Sequence, residues 1–254
     1  MKSIGEYKPF IDQVVKGRWS INQDTGFIDV EGYVDMRRLD LSYIPVKFGK
    51  VTGEFNCSYN KLTNLIGSPE SIDGYFDCSN NQLITLEGAP IYAASSFDCS
   101  YNLLKTLEGA PKSIVRNLDC SNNYLTILEG APQSVSGNFD CSNNQLTSLI
   151  GAPESVRFDF DCSYNRLTSL EGAPQSVGGY FYCSYNQLTS LVGAPQSLKG
   201  LFCIDLGYID RKYYHVIIPQ IEEMMEKGVE LYKPDGYYNP YKEAYYNDKI
   251  IELL

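Results

Sequence analysis

Apolar positions recur along this chain in a strict 21-residue frame that joins two kinds of pattern. In Tyr75-Phe76-Asp77-Cys78-Ser79 the alternation has period two. Phe76 and Cys78 fall on one side and Tyr75, Asp77 and Ser79 on the other, as a short strand requires. Leu83 and Leu86 then continue the apolar face, and Gly88-Ala89-Pro90 ends the phrase. Proline lacks a backbone donor and biases its predecessor away from the helical region, so the return path is predicted to be extended or a short 3₁₀ piece. Cys57, Cys78, Cys99, Cys120, Cys141, Cys162 and Cys183 mark the frame without a slip, and Asn60, Asn81, Asn102, Asn123, Asn144, Asn165 and Asn186 follow each strand. A fixed period of this length is the signature of a solenoid, each repeat being one turn stacked on the next. An asparagine buried at every corner is predicted to bond the backbone of adjacent turns.

The frame reaches beyond the cysteines. Met36 stands where a cysteine would be one period before Cys57, and Ile204 does so one period after Cys183, which leaves Cys203 in the outward column. About eight turns therefore occupy residues 36–203, between an N-terminal cap at 1–35 and a tyrosine-rich C-terminal cap at 204–254. The first cap is predicted to hold an amphipathic helix over Tyr7–Val15 and a strand over Phe27–Val30. In the second, helices are predicted over Pro219–Lys227 and Glu243–Leu254, with nine tyrosines sealing the last turn: Tyr208, Tyr213, Tyr214, Tyr232, Tyr237, Tyr238, Tyr241, Tyr245 and Tyr246.

The run L-x-C-x-x-N-x-L-x-x-L resembles the leucine-rich repeat, with phenylalanine often in the first apolar slot. The short period and the Gly-Ala-Pro segment resemble the bacterial subclass, found in secreted effector ubiquitin ligases and in bacterial and phage-encoded proteins. The resemblance covers roughly two thirds of the chain. It implies an α/β repeat solenoid, with short parallel strands on the concave face, an extended or 3₁₀ convex side and helical caps at both ends. The effector ligases carry a large helical catalytic domain after their repeats; here only about fifty residues follow Cys203, so that activity is not implied.

Composition adds exclusions. Hydrophobic residues make up 43% of the chain, yet no apolar run approaches the eighteen that a membrane span needs. The start, MKSIGEYKPF, lacks the apolar stretch of a secretory signal, which predicts a cytoplasmic protein of a bacterial or phage-infected cell. The cysteine column is expected to be a buried row of free thiols. It holds an odd number, and no CxxC pair or histidine cluster suggests a metal.

The outward strand positions are the candidate site. One column reads Asp35, Asn56, Asp77, Asp98, Asp119, Asp140, Asp161, Tyr182, Cys203, with serines two residues on and a mixed column of Tyr59, Asn80, Tyr101, Asn122, Asn143, Tyr164 and Tyr185 after them. Tyr75 and Tyr180 precede the strands on the same side. Like charges in neighbouring strands repel by roughly 0.8 kcal/mol at ~5 Å in water, more where water is scarce. Either the ladder is a relic of repeat duplication that keeps a bare sheet soluble, or this acidic, tyrosine-studded surface docks a partner with a basic surface, such as a nucleic-acid-binding or defence protein. The formal net charge of -10 argues against direct nucleic-acid binding. Catalysis has little support: His215 is the one histidine, and no nucleophile elbow, phosphate loop or metal-ligand pair accompanies it. The reading is a noncatalytic interaction module without cofactor, in the setting of the resemblance an inhibitor or modulator of a host enzyme or defence system. The alternative is a site in the Tyr/His-rich C-terminal segment.

Overall fold

The computed structural model describes residues 4–205, 207 and 209–231. Two parallel ladders run through the repeats. The first joins Val34 and Asp35 to Phe55–Asn56, Phe76–Asp77, Phe97–Asp98, Leu118–Asp119, Phe139–Asp140, Phe160–Asp161, Phe181–Tyr182 and Leu201–Cys203, each one period from the last. The second lies on the return path and joins Phe48–Val51 to Ser71–Ile72, Tyr92–Ala93, Ser113–Ile114, Ser134–Val135, Ser155–Val156, Ser176–Val177 and Ser197–Leu198. The return side is thus extended, and among the described residues helices occur only in the caps. Each strand is so short that register comes from side chains. A slip of one residue would carry every aspartate into the core.

That core is a stack of identical columns. Phe55, Phe76 and Phe97, then Phe139, Phe160, Phe181 and Phe202, stack with ring centroids from 5.1 Å (Phe76–Phe97) to 5.5 Å (Phe181–Phe202) apart. Leu118 interrupts the row. The corner asparagines act as predicted. Asn123 Nδ2 donates to the carbonyls of Cys99, Cys120 and Ser121, while its Oδ1 accepts the Leu104 amide of the preceding turn. The glycine of Gly-Ala-Pro does more than bar a helix: Gly130 has φ +90°, and a Cβ there would lie 2.4 Å from the Leu107 carbonyl carbon of the turn before.

All eight cysteines are free and buried. For Cys203 this differs from what its place in the outward column predicts, an exposed thiol. It does share the outward column, opposite Tyr182, but it is only 3% exposed. Its strand is not an edge, because Glu230–Leu231 pairs with Leu201 and Phe202 on the far side. Burial pushes the Cys203 thiol up to about 12 and the column thiols up as well. A thiol reagent should therefore label the native protein slowly at all eight positions and rapidly once it is unfolded in urea, as mass spectrometry can count. Fast native labelling of several cysteines would contradict these strand faces.

The caps differ from the predicted boundaries. Helix α1, Ile4–Val14, begins earlier than expected and buries Ile11 and Val14 completely against the first turn. It runs into β1, Val15–Ile21, antiparallel to β2, Ile28–Asp35, which is longer than the predicted strand and feeds both ladders. Gly17 and Gly32 face each other there at φ +143° and +145°, where a Cβ on either would lie 2.2 Å from a carbonyl oxygen across the pair. Helix α2, Tyr214–Glu226, starts five residues before the predicted Pro219. The reason is local: Asp210 caps a 3₁₀ turn, Arg211–Tyr213, that leads directly into the helix. Ile217 and Ile221 are buried, and Tyr213 and Tyr214 pack partly buried against the core. The other seven cap tyrosines and the predicted helix over 243–254 lie outside the described residues.

Candidate functional site

The candidate residues lie along the first ladder. Asp77, Asp98, Asp119, Asp140 and Asp161 stand in register, one per turn, each half-buried. Each also has a local role that the sequence reading missed. Asp98 Oδ1 accepts the Ser100 amide at 2.9 Å and its hydroxyl at 2.7 Å. Asp119, Asp140 and Asp161 accept the amides of Ser121, Ser142 and Ser163 in the same way. These turns end the strand by satisfying an amide that the ladder leaves free. The repeated Asp-x-Ser phrase was the available signal. Asn56 makes the same turn with Ser58, so the turn needs a side-chain carbonyl oxygen and not a charge.

The second carboxylate oxygen divides the column in two. Toward the N-terminus it is satisfied within the chain: Asp35 by Arg37, Asp77 by the Asn56 amide and Asp98 by the Tyr75 hydroxyl at 2.9 Å. For Asp119, Asp140 and Asp161 the donors among the described residues come from their own turns, the amides and hydroxyls of Ser121, Ser142 and Ser163. A cavity of about 390 Å³ opens over this stretch, lined by Tyr75, Asp98, Asn117, Asp119, Asn138 and Asp140 among others. Loss of water raises the Asp98, Asp119, Asp140 and Asp161 carboxyls above the usual range, chiefly by desolvation, with neighbouring carboxylates adding to it. Asp35 moves the other way, lowered by its hydrogen bond with Arg37.

The Tyr/Asn column has a backbone cause that composition did not reveal. Tyr59, Asn80, Tyr101, Asn122, Asn143, Tyr164 and Tyr185 all turn the corner with φ between +53° and +57°. Asparagine tolerates this left-handed region, whereas a bulky tyrosine is unusual in it. Tyr59, Tyr101 and Tyr164 are nonetheless about half exposed, at 50%, 56% and 48%. Tyr164 stacks on Tyr185 with centroids 4.1 Å apart. At the C-terminal end of the ladder Tyr180 meets Tyr182 edge to face at 5.8 Å, and burial pushes the Tyr182 hydroxyl up to about 12. Tyr75 stands apart from these rings, anchored to Asp98. His215 lies exposed on α2, and among the described residues no group of three His, Cys, Asp or Glu side chains could hold a metal ion.

Ladder register, stacked core columns and asparagine corners together define a leucine-rich-repeat solenoid with an acidic, tyrosine-rimmed strand face. Among solved structures the chain is similar to YopM from Yersinia enterocolitica WA-314, at 25% identity and a TM-score of 0.51. The match covers 70% of this chain and 42% of that one, so this chain spans less than half the length of the protein it resembles. No protein-family model and no curated protein matches it. Among the described residues no helix is long and apolar enough to cross a membrane.

Proposed function

We propose that this protein is a noncatalytic interaction module that binds a partner protein with a basic surface on its concave strand face. The observation that carries this reading is the in-register row of half-buried carboxylates at Asp119, Asp140 and Asp161, which have no donor among the described residues beyond the serines of their own turns, with Asp119 and Asp140 lining the cleft. Carboxylates that are partly desolvated and have no ion-pair partner among the described residues gain most from a cation brought by another molecule, and charge–charge steering accelerates that encounter. Tyr75 lines the cleft, and Tyr59, Tyr101, Tyr164, Tyr180, Tyr182 and Tyr185 supply large, stiff contact surfaces along the other turns. The similarity to YopM supports a binding role for the solenoid only through the shared fold. In the bacterial or phage setting implied by the repeat type, the partner is a host enzyme or a defence or nucleic-acid-binding protein, which this protein inhibits or modulates in the cytoplasm.

Replacing Asp119, Asp140 and Asp161 together by Asn tests the reading. The serine turns survive, because the amide oxygen accepts the Ser amides as Asn56 does. Each of these aspartates is harder to ionise in the folded chain than in the unfolded one, so its contribution to stability is greatest near and below the ordinary carboxylate range and is lost as pH rises through the raised folded value. The variant should therefore be at least as stable as the parent at pH 7, and its stability should fall less between pH 4 and 7. A protein captured from bacterial lysate by the parent should be lost from the variant, and the purified pair should associate more slowly as salt rises. Unchanged binding together with raised stability would make the ladder a relic of duplication.

A further inference from the structure

The corner column shows a rule for pairs of successive side chains. Arg38 occupies it one turn before Tyr59, also at a positive φ of 58°, and places its guanidinium 4.9 Å from the Tyr59 ring centroid. Two turns from the other end, Tyr164 lies on Tyr185 at 4.1 Å. Wherever two long planar groups follow each other in the column, they stack. Tyr101 has neither neighbour: the turns before and after it offer the short Asn80 and Asn122, and its ring is 56% exposed.

From this we propose that Tyr101 is a receptor for a planar cation, an arginine side chain of the partner, which stacks on the ring in the space over Asn80 or Asn122. The Arg38–Tyr59 pair displays the same contact within the chain, on the same backbone geometry. A guanidinium suits this place better than an ammonium, since it can lie flat on a ring and reach a carboxylate in the same pose. The backbone strengthens the case. A tyrosine held in the left-handed region, a corner that three other turns fill with the better-suited asparagine, is an unfavourable conformation kept at an exposed site.

The inference rests on the concave-face reading and refines its partner to one rich in arginine. Fluorescently labelled deca-arginine and deca-lysine peptides of equal charge can be titrated at physiological ionic strength against the parent, Tyr101→Asn, Tyr101→Phe and the Asp119/Asp140/Asp161→Asn variant. The parent should prefer deca-arginine. Tyr101→Asn should weaken arginine binding about two- to fivefold with little change for lysine, and Tyr101→Phe should keep the preference. The Asp variant should weaken both peptides alike. Because asparagine already occupies this corner in three turns, Tyr101→Asn should fold at least as stably as the parent. Equal binding of both peptides, or a preference untouched by Tyr101→Asn, would overturn the stacking site while leaving the acidic face standing. Failure of both peptides to bind would sink both.

Discussion

Replacing Asn144 by Ala is expected to remove about 3–5 kcal/mol of stability, a large part of the roughly 5–15 kcal/mol that holds a typical domain folded. The side chain is 9% exposed and bonds across two turns at once. Its Nδ2 donates to the carbonyls of Cys120, Cys141 and Ser142 at 3.1 Å each, and its Oδ1 accepts the Leu125 amide at 2.9 Å. Alanine would leave the buried Leu125 amide and at least one carbonyl without a partner, and each such group costs roughly 1–3 kcal/mol. Asn144→Asp separates this account from a simple loss of volume. It keeps the shape and the acceptor for Leu125, but turns a carboxylate toward three carbonyl oxygens. If hydrogen bonding governs the corner, Asp should be worse than Ala. Urea midpoints rank the two variants, and hydrogen exchange at the Leu125 amide locates the damage. An Asp variant as stable as the parent would show that the corner is held by packing alone.

The same asparagines explain why so much of the fold could be read from the sequence. A solenoid repeats one local solution, so period, strand face, core column and corner polarity are each written about eight times in phase. Chance agreement at one turn cannot survive repetition at the rest. Features that depend on backbone angle rather than on polarity were not legible in this way. The mixture of Tyr and Asn at one corner was visible as a column, but that both residues share φ near +55° is a property of the chain path. The double duty of the aspartates was hidden for a related reason: Asp-x-Ser reads equally well as a charge ladder and as a strand-ending turn, and only the Oδ1 geometry separates the two uses. The ends were read least well, because there the period stops and single contacts decide. Pro219 suggested a helix start, yet the cap at Asp210 had already launched the helical path. Cys203 follows the outward column but is buried, in a strand that pairs on its far side with Glu230–Leu231, a strand that belongs to no repeat.

Cys120→Asp is expected to be more damaging still, and its pH dependence makes the reason testable. Cys120 is 0% exposed, in a column with Cys99 and Cys141, and its thiol donates to the Asp140 carbonyl at 3.2 Å. A carboxylate in that place would face a carbonyl oxygen without any cation nearby, and an unpaired buried charge costs several kcal/mol unless it takes up a proton. Since turns support only their neighbours, the lesion should unfold the middle of the solenoid and spread outward from it. Cys120→Ala should cost about 1 kcal/mol by comparison, the loss of one small buried group, and Cys120→Ser should be mild because its hydroxyl can keep the bond to Asp140. The introduced aspartate would be much harder to ionise in the folded chain than in the unfolded one. Its penalty should be nearly absent below the ordinary carboxylate range and should grow as pH rises above it. Measured against the parent at each pH, the variant should approach Cys120→Ala near pH 3 and diverge by several kcal/mol at pH 7. A deficit independent of pH would mean that steric misfit, not buried charge, is what the cysteine column excludes.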